Sequence, residues 1–371
     1  MHSETLQLAG AGPGLRQTLS VLRYGQPGRG PKAMIQASLH ADEVPAMLVA
    51  QALRQRLSAL DAAGQLLGEV VLVPYANPLG LAQHPLGQHL GRFDLHDGVN
   101  FNRQVPDVAA TVTEAVQGRL GDDAATNVAL VREALRQSLA ARSADHPAAD
   151  LKLQLLRLAI DADIVLDLHC DFEATLHLYG LTPQADLCAE LGALLGAEAI
   201  LLATESGDVP FDEACSRPWL VVQQAYPAHP VPLACFATTV ELRGQADTSH
   251  TLAAQDADAL VEFLRRRGVV AGKPRPLPAA RCQATSLAGS ETVVAPGCGV
   301  VVFHQAPGAW VETGTLIADL VDVDSGAVQP LRAQSAGVLY ARMATRWATP
   351  GARLAKIAGS VLGRTGKLLG P

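Results

Sequence analysis

Over roughly the first three quarters of the chain, short apolar runs alternate with longer stretches of helical period. Val44 to Leu60 is the clearest helix: Val49, Leu53, Leu57 and Leu60 fall on one stripe, Arg54 and Arg56 fall off it, and Pro45 suits the first turn. The runs Ala33–Ala37, Glu69–Val73, Asp163–Leu168, Ala199–Ala203 and Phe236–Leu242 read as strands, with Ala174–Tyr179 as a further one. Glu69–Val73 is continuously apolar after its glutamate, as in a parallel sheet covered on both faces. Ahead of these, Leu6–Leu8, a turn with Gly10, Gly12 and Gly14, and Thr18–Leu22 predict an antiparallel pair. Helices are expected over Ala185–Leu195 and Thr251–Arg267, the latter stopped by Gly268. Residues 107–160 predict two or three helices with a break at Ala144–Pro147, and Thr204–Pro218 reads as a loop carrying Asp208, Asp212 and Glu213. Strands alternating with helices imply an α/β fold, a mixed and mostly parallel sheet flanked by helices.

Pro274, Pro276 and Pro278 mark a linker, after which the texture changes to short valine-rich strands punctuated by glycine. Two halves resemble each other. Ala295-Pro296-Gly297-Cys298-Gly299-Val300 and Gly314 in the first answer to Ala333-Gln334-Ser335-Ala336-Gly337-Val338 and Gly351 in the second. This predicts a small C-terminal all-β barrel-sandwich, similar to lipoyl and biotinyl carriers. No lysine occurs between Lys273 and Lys356, so the lysine that such a carrier modifies is missing. The unit is expected to be structural or to cover the site. The expected division is residues 1–273, with a helical insert at about 107–160, and residues 279–371.

With 371 residues, 49% hydrophobic and 18% charged, the chain can bury a sizeable core. A net charge of −7 provides no basic footprint, so nucleic acid is not an expected partner. Six scattered cysteines without a CxxC pair fit reduced thiols and a cytoplasmic setting. No basic-then-apolar leader and no run of about 18 apolar residues is present, so neither secretion nor a membrane is expected. The oligomeric state stays open, self-association included.

The stretch Ser38-Leu39-His40-Ala41-Asp42-Glu43 joins a strand to a helix. His40 and Glu43 are three residues apart and can face one metal ion; Asp42 is a competing carboxylate but lies at the wrong spacing. His169 also follows an apolar strand, Asp163–Leu168, and open α/β sheets gather their sites at that end. Two histidines and a glutamate are a ligand set for catalytic zinc that leaves a position for water. Asp167 and Asp171 are near enough to accept from an imidazole N–H, or are plain strand-end acids. Glu241 interrupts the run Ala237–Leu242, where a carboxylate is costly without a use. It is either a proton-transfer group or the partner of Arg243. Arg92, Asn102 and Arg103, in a long polar segment, could bind a carboxylate or oxyanion or lie on the surface. The acids Asp208, Asp212 and Glu213 could select a cationic substrate group, but a solvated loop is the expectation.

His40-x-x-Glu43, Asn102-Arg103, Asp167-Leu168-His169 and Glu241 within Val240-Glu241-Leu242-Arg243-Gly244 resemble, in order and spacing, the zinc carboxypeptidase superfamily. More closely, the chain resembles the succinylglutamate desuccinylase/aspartoacylase family, through Asn77-Pro78-x-Gly80, Arg92 and the β-rich C-terminal unit as well. The resemblance implies one Zn2+ per chain held by His40, Glu43 and His169. It implies Glu241 as general base and acid, Arg92 on the oxyanion or substrate, and Asn102-Arg103 on the substrate carboxylate. Ala41 stands where Gly is usual, Asn100 where Asp often precedes the Asn-Arg pair, and Gln104-Val105-Pro106-Asp107 replaces Phe-Pro-Gly. The expected activity is zinc-dependent deacylation of an N-acyl amino acid or related small amide. The alternatives are a zinc carboxypeptidase acting on peptides and a metal-binding protein without enzymatic activity.

Overall fold

The computed structural model describes residues 1–10, 12–360 and 363–370. The chain runs β1 (His2–Gln7), β2 (Thr18–Gly25), β3 (Lys32–Ala37), α1 (Pro45–Ala62), β4 (Glu69–Val73), α2 (Pro78–Leu81), α3 (Ala109–Ala115), α4 (Ala124–Ala140), α5 (Pro147–Ala159), β5 (Ile164–Asp171), β6 (Glu173–Ala174), β7 (His177–Leu181), α6 (Ala185–Leu195), β8 (Ala199–Ala203), α7 (Phe211–Ala225), β9 (Phe236–Gly244), α8 (His250–Arg266) and β10 (Ala284–Ser286). The nine strands other than β6 form one sheet in the order β1-β2-β4-β3-β5-β9-β7-β8-β10. Its centre, β4-β3-β5-β9, is parallel, while β2 and β7 run antiparallel to their inner neighbours.

Both faces of this sheet are covered, and the strand sequences follow from that. On β4, Val71 and Val73 join Leu135, Leu151 and Trp219 of α4, α5 and α7. Val70 and Leu72 face the other way, with Leu53 of α1, Leu191 of α6 and Phe263 of α8. Alternate side chains point to opposite faces, so a strand sandwiched between two helical layers is apolar throughout. Each large side chain buried in this way contributes about 1.5–3 kcal/mol.

One expectation fails. Thr204–Pro218 is a loop only as far as Pro210, because α7 starts at Phe211 and contains Pro218. Asp212 and Glu213 occupy its first turn, where carboxylates suit the positive end of the helix dipole. Both are buried, so the solvated acidic loop is overturned. The expected strand Ala174–Tyr179 divides between β6 and β7, which belong to different sheets; the other predicted helices and strands appear with ends shifted by a few residues, and the insert resolves into three helices, α3 to α5.

The rest of the described chain forms β11 (Glu291–Val294), β12 (Gly299–Phe303), β13 (Trp310–Val311), β14 (Leu316–Val321), β15 (Val328–Arg332), β16 (Gly337–Arg342), β17 (Trp347–Ala348) and β18 (Arg353–Gly359). They make two sheets, β11-β18-β16-β13 and β15-β14-β12-β17, around a core that includes Val301, Ile317, Leu339 and Leu354. The repeated glycines have physical causes. A Cβ on Gly299 would lie 2.5 Å from Val321 O, and one on Gly337 would lie 2.2 Å from Ala358 O. Gly314 and Gly351 both take positive φ, 86° and 83°. This β-rich part is joined to the first part of the chain by β16, which pairs with β6.

Candidate active site

β3 and β5 are parallel neighbours, and both deliver a histidine just beyond or at their carboxyl ends. At the end of β3 the chain turns through Ser38, a non-glycine residue at φ 58°. Ser38 N–H donates to Leu168 O, and its hydroxyl donates to Glu43 O. Asn77 fixes the next residue by donating from Nδ2 to Leu39 O at 2.9 Å, while its Oδ1 accepts from Gly80 N. These bonds give the Asn77-Pro78-x-Gly80 loop a local role, holding the approach to His40. The segment carrying Arg92 packs against the same turn: Ala41 N–H donates to Gly91 O, and a Cβ on Gly91 would lie 2.2 Å from Asp42 N.

His40, Glu43 and His169 are buried together, with one prospective ligand atom from each within 4.8 Å of the others. His40 Nδ1 lies 2.8 Å from Glu43 Oε1, and His169 Nδ1 lies 2.8 Å from Glu43 Oε2. The far nitrogen fixes the tautomer of His40. His40 Nε2 lies 2.8 Å from Asn100 Oδ1, and that same oxygen accepts from Asn102 N, which settles the orientation of the Asn100 amide. An oxygen in that place can only accept, so His40 Nε2 carries the proton. His169 Nε2 is 3.0 Å from Asp167 Oδ2, another acceptor, and Asp167 is itself held by Gln36. A neutral imidazole at either place turns the lone pair of Nδ1 toward a Glu43 oxygen; at His169 burial lowers the pKa, but Asp167 and Glu43 outweigh it and raise it well above the ordinary value, so that ring attracts a proton or a metal ion there. Such a set of opposed lone pairs is relieved by a cation at the centre, and an imidazole anchored on its far nitrogen is the usual state of a metal ligand. The group could hold a metal ion, and its donor chemistry fits one. Burial and Arg92 push the His40 pKa down, which argues against a second proton as the relief at that ring.

Glu43 is held further by Arg92 Nη2 at 2.7 Å and Cys170 N at 3.0 Å. Burial raises its pKa, but His40, His169 and Arg92 outweigh that and keep it well below the ordinary carboxylate value. Asp42, the competing carboxylate, takes no part and accepts from Gln245 instead.

Glu241 stands on β9 in register with His169 on β5. Its Oε2 is buried without a hydrogen-bond partner. The ion pair with Arg243 does not form, because Arg243 gives both terminal nitrogens to Asp256 at 2.8 and 2.9 Å. Burial, reinforced by the Glu43 charge, pushes the Glu241 pKa up to about 8.

Other expected residues lie at the same place with partners of their own. Arg92 lines the pocket with its guanidinium over the Phe172 ring. Asn102 turns Nδ2 toward His169 at 3.4 Å because its Oδ1 accepts from Phe211 N at 2.8 Å. Arg103 lines the pocket too, donating to Gly370 O from Nε and Nη2 and to Asn102 O from Nη1. Asp167 serves as the acceptor for His169, whereas Asp171 pairs with Lys356 of β18 at 2.6 Å. Burial raises the Asp171 pKa, but Lys356 outweighs it and holds it at about 2. Lys356 had no motif around it. Lys152 of α5 was also missed: it is 7% exposed and donates to the carbonyls of Asn100 and Arg103, bracing the segment that carries Asn102.

Together these groups border a pocket of about 300 Å³. One wall comes from the sheet ends and α7, and another from the C-terminal β unit through Arg342, Leu354 and Lys356. A cavity of this size suits a small molecule.

Residues 29–267 match the model of the succinylglutamate desuccinylase/aspartoacylase catalytic domain. Among solved structures, the chain is similar to a succinylglutamate desuccinylase/aspartoacylase family protein from Shewanella amazonensis, with 27% identity and TM-score 0.87 over 96% of this chain and 98% of that one. A family protein from Shewanella frigidimarina gives 24% identity and TM-score 0.85 over 96% and 97%. The product-bound ectoine utilization protein EutE (DoeB) from Ruegeria pomeroyi gives 17% and 0.67 over 97% and 95%, a likeness of fold. A comparison with curated proteins returned no match.

Proposed function

The chain belongs to the succinylglutamate desuccinylase/aspartoacylase family of hydrolases, and from that premise we propose that it is a zinc-dependent amidohydrolase that removes the acyl group from an N-acyl amino acid or related small amide. The observation that carries this reading is the convergence of His40 Nδ1, His169 Nδ1 and the Glu43 carboxylate, with both far ring nitrogens anchored on acceptors. These three residues would hold one zinc ion. When bound there, zinc lowers the pKa of water and polarises an amide carbonyl.

The chain's own groups supply the rest. Glu241 Oε2, unpartnered and facing the pocket, takes the proton from the attacking water and hands it to the leaving nitrogen. A carboxyl whose pKa is raised toward neutrality suits both halves of that transfer. Arg92 stabilises negative charge developing on the carbonyl oxygen, from a position fixed by Glu43 and Phe172. Asn102 and Arg103 border the substrate; a role on its carboxylate requires Arg103 to exchange its bonds with Gly370 and Asn102. Closure by the C-terminal unit favours a small acylated amino acid over a peptide lying in a groove. The test combines metal analysis with substitution. Wild-type protein should bind zinc stoichiometrically and release amine from at least one N-acyl amino acid, and His40→Ala and His169→Ala should bind no stoichiometric metal. Retained zinc in either variant would reject the ligand assignment.

A further inference from the structure

The first turn of α7 presents Asp212 to the pocket. It is 6% exposed; the Glu213 backbone N–H acts on its carboxylate as a hydrogen-bond donor, and among the described residues no cationic side chain forms an ion pair with it. Its neighbours are provided for. Glu213 Oε1 accepts from Ser206 N at 2.7 Å, and Asp208 pairs with Lys367 at 2.7 Å. Arg103 feels the charges of all three acids, yet it donates to carbonyl oxygens. The segment is also held under strain: Asp208 and Val209 adopt φ of 59° and 46°, pinned by Gln104 N and Val105 N donating to their carbonyls. Strain of this kind, at a β-branched residue especially, persists where the fold over-determines it and gathers at functional sites.

We propose that the substrate carries a cationic side chain, an ammonium or guanidinium, and that Asp212 is the residue that binds it, with Glu213 reinforcing the negative wall. The inference rests on the site being a deacylase pocket for N-acyl amino acids. A buried carboxylate without a counter-charge is costly, and a ligand cation supplies the missing charge through a charge-assisted hydrogen bond. An anionic group is disfavoured at this position because Glu213 and Asp167 both act on Asp212 electrostatically as like charges. Burial first, then those two acids, raises the Asp212 pKa to about 8, so the empty site holds the group protonated below that pH and a bound cation favours its ionised form. The cation belongs to the amino-acid half, because amino-acid side chains offer ammonium and guanidinium groups whereas simple acyl groups such as acetyl or succinyl carry no cation.

The test is calorimetric binding of free amino acids to zinc-loaded protein, with release of amine from their Nα-acetyl forms measured alongside. L-ornithine, L-lysine and L-arginine are compared with the uncharged L-norvaline and with L-glutamate. At least one cationic ligand should bind about tenfold or more tighter than norvaline, and Asp212→Asn should bring that ratio to within about twofold. Equal binding, a preference for glutamate, no binding by any cationic member, or a preference that survives Asp212→Asn would overturn the proposal. If Asp212→Asn does not fold, the wild-type ratio decides. Because free amino acids need no turnover, Asp212-dependent binding without hydrolysis would defeat the deacylase reading and leave this one standing; hydrolysis without cation preference would do the reverse.

Discussion

At the residue scale, the site works by leaving selected atoms unsatisfied. Arg243 is committed to Asp256, so Glu241 Oε2 stays free beside His169. Glu241→Gln keeps the shape and removes the proton acceptor. It should retain stoichiometric zinc and lose at least about 10²-fold in turnover number; metal analysis with steady-state kinetics checks both, and near-normal turnover would reject the role. Asp212 makes a prediction of opposite electrostatic sign to an ordinary surface acid. Its folded pKa, about 8, lies above the usual 3.8, so its contribution favours folding while it is protonated and is lost as pH rises from about 4 to about 8. Asp212→Asn should therefore gain stability over wild type progressively across that window. A linked difference of one pKa unit is worth about 1.4 kcal/mol. Denaturant unfolding at pH 5 and pH 8 measures the trend, and a pH-independent difference would contradict it.

At the element scale, what could be read from sequence was what both layers of the sheet impose. The apolar run of β4 and the stripe of α1 predict their elements closely, because burial on both faces or on one stripe leaves a period behind. The metal-binding candidates were legible for a related reason: His40 and His169 follow such runs, and parallel pairing of β3 with β5 brings their ends together. Partners distant in sequence left no trace. Nothing around Lys356 signals Asp171, and nothing in α5 signals that Lys152 reaches Asn100 and Arg103. The start of α7 was lost because an acidic first turn reads as solvated, and a proline inside a helix reads as an end. Asn100 is instructive in the other direction. Standing where an acid is often found, it still presents an oxygen to His40 Nε2, so the departure preserves an acceptor while changing its charge. The close fit of the Arg92 segment against the β3–α1 turn predicts that Gly91→Ala destabilises by about 2 kcal/mol, as overpacking does. Denaturant unfolding would show it, and a variant as stable as wild type would mean that the turn yields.

At the scale of the whole molecule, the C-terminal β unit is part of the site. Glu173 is bound by Arg342 and Arg346, and Lys356 crosses to Asp171. Lys356→Met would leave the buried Asp171 without its ion-pair partner, a loss of about 3 kcal/mol at neutral pH. The sign with pH follows from the Asp171 pKa of about 2, below the usual 3.8. The pair stabilises fully above about pH 4, and its contribution fades as pH falls from about 4 to about 2. The difference between wild type and variant should thus shrink between pH 7 and pH 3 in denaturant titrations, and a constant gap would contradict the pairing. None of the described helices is long and apolar enough to cross a membrane. The six cysteines are free thiols.

The central claim is that His40, Glu43 and His169 hold a zinc ion which this chain uses to deacylate a small N-acyl amino acid. The most direct measurement is amine release from a panel of N-acyl amino acids by one preparation assayed as purified, after chelation, and after readdition of zinc. The account predicts release from at least one member of the panel, loss of that release on chelation, and its return with about one zinc per chain. Release that is unchanged when the metal has gone, or no release from any member with zinc fully bound, would contradict it.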